Sequence, residues 1–188
     1  MPALSTDNYQ AYHGHTDILD ELQLNSDIDK SSPVTAVFVH YDEEKVGDKK
    51  ITVSVGISGQ ARGSKHNDEY ARELERSLNE MAGYEKYVVS SITDPDLFEQ
   101  IKKYERQNKY PKAGTHVPDR GACAEPKAAS AANKNTTPIV GFDVRHFNGE
   151  GAGNNYPLKA ASAPNQMENC DRCKFNGEVI VNYANSTK

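Results

Sequence analysis

The three cysteines of this 188-residue chain fall into two tight groups, Cys123-Ala124-Glu125 and Cys170-Asp171-Arg172-Cys173, and this grouping restricts the fold more than any other feature. Three is an odd number and too few for a small domain held by disulfides. A lone C-x-x-C stands for a redox dithiol, for half a metal site, or for chance, and the third cysteine shifts the balance toward metal. Three thiolates leave one coordination position of zinc open, as a catalytic centre needs, whereas a closed structural centre takes a fourth protein ligand. His116 and His146 are the candidates for that closing ligand, and a thiol redox pair is the remaining alternative. Both groups precede stretches that read as helix starts. Pro126 suits a first helical turn, where the N–H it lacks would have no partner. Cys123 and Glu125 therefore stand at or just before a helix N-terminus, where the dipole lowers thiol pKa values and favours thiolate ligation. A carboxylate at Glu125 is placed to take a proton from a water activated by the metal and to return it to a leaving group.

The rest of the chain reads as one α/β domain behind a polar arm. Residues 1–33 form the arm, with at most a short helix, and end at Ser31-Ser32-Pro33; residues 34–188 form the domain. Val34 to Tyr41 and Ile51 to Ser58 are rich in β-branched residues and predict a hairpin turning near Gly47-Asp48. From Asn67 to Met81, Tyr70, Leu74, Leu78 and Met81 recur at helical spacing, with Asn67 suited to cap the helix and Gly83 to stop it. A short strand over 87–92 and a polar helix over 96–109 follow. After the alanine-rich helix from Pro126 come a strand over 139–147, whose Phe142 and Val144 alternate toward the core, and a Gly, Asn, Pro and Ser-rich crossover over 148–169. A short element at 170–174 and a last strand over 178–183 complete the order, which predicts a mixed sheet covered by helices.

Charge and hydropathy exclude several functions. Acids outnumber Lys and Arg by 27 to 22, a net charge of −5, which excludes a broad basic surface for nucleic acid. Mean hydropathy is −0.78, no apolar run is long enough to span a membrane, and the N-terminus lacks signal-peptide character. Location is therefore expected to be cytoplasmic, or outside by a route needing no classical signal, with no membrane partner. The one concentrated positive stretch is Lys102, Lys103, Arg106, Lys109 and Lys112, interleaved with Tyr104 and Tyr110 and a single acid, Glu105. It reads as a solvated helix face or as a phosphate track with rings for base stacking. The glycines of 149–153 lack dinucleotide-fingerprint spacing, and Gly56-Ile57-Ser58-Gly59 is not a nucleophile elbow.

Cys123-Ala124-Glu125-Pro126 followed by Cys170-Asp171-Arg172-Cys173 resembles the signature of the cytidine-deaminase-like zinc deaminase superfamily, more closely its toxin-type branches, which include the YwqJ-like deaminases. The resemblance spans residues 34–183 and departs at Asn169, where the common pattern has proline. It implies a three-layer fold with a mixed central β-sheet flanked by helices. It further implies Zn2+ held by Cys123, Cys170 and Cys173, with Glu125 shuttling protons. The implied reaction is hydrolytic deamination of a cytosine-type base to uracil in single-stranded DNA or RNA. A free nucleoside is the alternative substrate, and a non-enzymatic structural-zinc interaction module the alternative class. A toxin would also have an immunity protein as partner. On the same likeness Ser58, Gln60 and Asn67 lie near the pocket mouth as candidate substrate contacts. His116 would line the pocket, Arg120 would meet a phosphate, and Tyr104 or Tyr110 would stack on bases.

Overall fold

The computed structural model describes residues 34–42, 44, 50–59, 65–81, 85–111, 119–146 and 170–186. The expected arm, the Gly47-Asp48 turn, the Gly83 stop, the 148–169 crossover, Gln60 and His116 lie outside the described residues, as do the side chains of Phe142, Val144 and His146. The elements in chain order are β1 (Val34–Tyr41), β2 (Ile51–Ile57), α1 (Lys65–Met81), β3 (Glu85–Ser90), α2 (Pro95–Gln107), α3 (Ala124–Ala132), β4 (Ile139–His146), α4 (Asp171–Phe175) and α5 (Gly177–Asn185).

Four strands form one mixed sheet in the order β3-β2-β1-β4. The expected hairpin pairs antiparallel, from Thr35 opposite Ile57 to Tyr41 opposite Ile51. β4 runs antiparallel on the other side of β1, with an irregularity at Val39/His40. β3 pairs parallel with β2, which obliges the chain between them to cross over the sheet, and α1 is that crossover.

Strand alternation divides the core into two layers. Val37, Val53, Val55 and Ile57 point to one face and pack with Ala71, Leu74 and Leu78 of α1 and Tyr87 of β3. Ala36 and Phe38 point to the other face, where they meet the alanines of α3, Leu97 and Ile101 of α2, and Ile180, Tyr183 and Ala184 of α5. Truncating a fully buried leucine such as Leu74 or Leu78 to alanine would cost about 2–5 kcal/mol. The result is an α/β arrangement with helices on both faces of a mixed sheet.

Every residue of α3 is buried, and its small side chains let the helix lie directly on β2. Gly56 makes this approach feasible: a Cβ there would stand 2.0 Å from Ala124 O and 2.3 Å from Ala128 N. The head of α3 is thereby fixed at the end of β2.

Two expectations need correction. The segment predicted as a strand over 178–183 is helix α5. Val179, Ile180 and Val181 favour strands locally, but Ile180, Tyr183 and Ala184 form one helical face in the core. Asn133 Nδ2 secures its last turn by donating to Tyr183 O at 2.8 Å and Ser186 O at 3.0 Å. The helix predicted to start at Asn67 starts at Lys65, so Asn67 lies within the first turn and does not cap it.

Candidate metal centre

Cys123 and Cys170 are the N-cap residues of α3 and α4, both with extended backbone conformations, and the Cys170 sulfur accepts from an exposed amide of its own helix whereas Cys123 makes no such capping bond. Cys173 follows in the first turn of α4, and its backbone N–H donates to Cys170 Sγ at 3.4 Å. All three side chains are buried and none forms a disulfide. Their sulfurs lie within 4.8 Å of one another, with Cys123 Sγ and Cys170 Sγ 3.5 Å apart. A tetrahedral zinc with bonds of about 2.3 Å separates its sulfurs by about 3.8 Å, so the trio has the spacing of a metal-binding set. Among the described residues no histidine or carboxylate joins the three sulfurs.

The thiols share protons unequally. Hydrogen bonds from Cys123, from Cys173 and from backbone amides hold the Cys170 thiol well below its ordinary range, making it the thiolate of the group. Cys123 is pushed up chiefly by its hydrogen bond with Cys170, and Cys173 by its bonds with Cys123 and then Cys170, with burial adding to both rises. Glu125, only 3% exposed in the first turn of α3, is pushed up to about 7 by burial and then by the negative charge on Cys170. Pro126 occupies the third helical position, as its missing N–H permits.

A second carboxylate joins the two cysteine-bearing segments. Glu105, on the inner face of α2, accepts from Arg120 Nε at 2.8 Å on one oxygen and from Arg172 Nε at 2.8 Å on the other. Arg172 Nη2 and Asn176 Nδ2 add bonds of 3.0 and 2.8 Å. Arg120 precedes Cys123 by three residues and Arg172 lies inside the Cys170–Cys173 turn, so one buried carboxylate ties both segments to α2. Burial alone would raise Glu105, but the bonds from Arg172, Asn176 and Arg120 prevail and bring it down to about 2.

The other sequence candidates take varied positions. Arg120, expected at a phosphate, is engaged with Glu105 and lies over the Phe98 ring at 5.9 Å. Tyr104 and Tyr110, expected to stack on bases, both pack edge-on against Phe175, and the Arg172 guanidinium lies over Tyr110. Of the basic stretch, Lys102 pairs with Glu99 at 3.0 Å, while Lys103, Arg106 and Lys109 are exposed. Ser58 is half-buried where the chain leaves β2, and Asn67 approaches the same loop at Gly59.

Sequence reasoning gave no role to Glu105, Arg172 or Lys127. Lys127, two residues beyond Glu125, is fully buried, and burial brings its amine down to about 8. The visible signals were Glu105 as the lone acid of a basic stretch, Arg172 inside the C-x-x-C, and a lysine in an alanine-rich helix. No family model matches the chain, and no curated protein or solved structure is significantly similar to it.

Proposed function

We propose that this protein is a zinc-dependent hydrolytic deaminase that converts a cytosine-type base to uracil, in single-stranded nucleic acid. The observation that carries the reading is the cluster of three buried, unbridged sulfurs from the heads of two helices, with the buried carboxyl of Glu125 in the first turn of one of them acting on Cys170 and Cys173. A structural zinc module would need the cysteines and would leave the burial of Glu125 without a purpose.

Cys123, Cys170 and Cys173 would hold the metal, which supplies Lewis acidity that activates water toward the ring carbon bearing the exocyclic amine. Glu125 then takes a proton from the attacking water and passes it to the ring nitrogen, and carries the second to the departing amine. The carbon–nitrogen bond breaks, the water oxygen stays on the ring, and ammonia leaves with one of the two protons. The short span from Cys123 to Glu125 holds the carboxyl beside the metal ligands, and burial keeps competing water away.

Exposed Lys103, Arg106 and Lys109 favour a polymer, since phosphates can line up along them. Tyr104 and Tyr110 pack on Phe175, which weighs against their stacking on bases and keeps a free nucleoside or nucleotide as the second reading. The test is ammonia release and base mass for the zinc-loaded protein and its E125Q variant. The panel is cytidine, adenosine, single-stranded DNA, duplex DNA and RNA. Glu125-dependent conversion of single-stranded DNA or RNA is expected; silence across the panel from folded, zinc-containing protein would overturn the reading.

A further inference from the structure

Lysine is almost never fully buried unless paired, yet Lys127 is buried completely and its Nζ has no hydrogen-bond partner among the described residues. Its neighbours place the amine. A Cβ on Gly59 would stand 3.8 Å from Lys127 Nζ and 2.6 Å from Asn67 Nδ2. Gly59 N donates to Ala122 O at 2.9 Å, so the loop leaving β2 crosses immediately ahead of Cys123. The amine therefore ends between that loop and the first turn of α1, beside the head of α3. Of the two acidic groups near enough to act on it, Cys123 is held as a neutral thiol and Asp68 Oδ1 already accepts from Ser91 Oγ at 2.5 Å.

A cation withdrawn from water without an acceptor costs several kcal/mol. Asn67 brings its amide to the same loop, and the head of α3 contributes the positive end of its dipole. Asp68 acts on the amine without accepting a hydrogen bond from it, and among the described residues no other acceptor is supplied, so an anionic oxygen entering there would be its first.

We propose that Lys127 is a substrate-binding residue whose ammonium receives a phosphate oxygen of the nucleotide whose base reacts, so that the protein prefers nucleotides or strands to neutral nucleosides. This deepens the deaminase reading and rests on it for the identity of the base. A phosphate reaching Lys127 would be shielded from water, where an ion pair is stronger than at the surface. Either a free nucleotide or a strand carries the required group.

The test measures binding without turnover, using zinc-loaded E125Q protein and calorimetry with cytidine, cytidine monophosphate and a short oligodeoxycytidylate. The expected result is at least ~10-fold tighter binding of the monophosphate than of cytidine, with K127M removing the preference and K127R retaining part of it. Tighter binding still of the oligonucleotide would identify a strand as the source of the phosphate, and equal binding a free nucleotide. Equal affinity for cytidine and its monophosphate, or an unchanged preference in K127M, would overturn the proposal. Since K127M removes an uncompensated buried charge, its ligand-free form should melt no lower than the parent. A lower melting temperature would show a structural partner and also overturn it. A Lys127-dependent preference in a protein that releases no ammonia would retain this inference and reject the deaminase reading.

Discussion

Replacing Glu105 by glutamine tests how the two cysteine segments are held together. The carboxylate accepts from Arg120, Arg172 and Asn176, and its fall from an ordinary 4.5 to about 2 corresponds to about 3 kcal/mol of native-state preference for the ionised form. Glutamine keeps one acceptor oxygen, and Arg120 and Arg172 are 30% and 17% exposed, so both guanidiniums recover some hydration. The net cost at neutral pH is therefore about 2–3 kcal/mol, a fall in melting temperature of roughly 5–10 °C for a chain of this size. A depressed carboxylate pKa gives stability that is complete above the ordinary glutamate range and disappears as pH falls toward 2. Urea unfolding of wild type and E105Q, run in parallel from pH 7 to pH 3, should show a gap that is full at neutral pH and narrows below pH ~5. Identical midpoints at pH 7, or a gap that does not change with acid, would refute the clamp.

Other perturbations probe separate links. Gly56→Ala places a Cβ 2.0 Å from Ala124 O and should cost more than the about 1–3 kcal/mol of ordinary overpacking; a near-native melting curve would mean α3 does not rest on β2 as described. Cys173→Ala should lower bound zinc, measured by mass spectrometry of the native protein, from one equivalent to a small fraction, and unchanged content would place the metal elsewhere. His40, bonded to Ser54 Oγ at 3.0 Å and Thr137 O at 3.2 Å, is lowered by burial, so its neutral form belongs to the native state. Its contribution to stability is present above the ordinary 6.5 and is lost as pH falls below it. Its NMR titration should lie below 6.5, and an ordinary midpoint would contradict the buried placement.

The sequence expresses local constraints well. The spacing of Leu74 and Leu78 marks the inward face of α1, the β-branched runs mark β1 and β2, and Pro126 marks the start of the helix headed by Cys123. The two cysteine groups carry their own spacing, so the candidate centre can be read before any fold is known. What was hidden depends on distant partners. Helix α5 is decided by its core face and by Asn133, 50 residues before Tyr183, against the local preference of Val179 and Val181 for strands. Glu105 meets Arg120 and Arg172 across 15 and 67 residues, so a clamp looks like one stray acid in a basic helix. Lys127 resembles any surface lysine until α3 is found to be buried on every side.

An open three-cysteine metal centre with Glu125 beside it is the core of the account, and zinc-edge X-ray absorption on metal-loaded protein tests it most directly. The predicted spectrum has three sulfur neighbours at about 2.3 Å and one light oxygen neighbour at about 2.0 Å, with one zinc per chain and no change in the sulfur shell in E125Q. A fourth sulfur, the outer-shell signature of a ligating imidazole, or no stoichiometric zinc would contradict it.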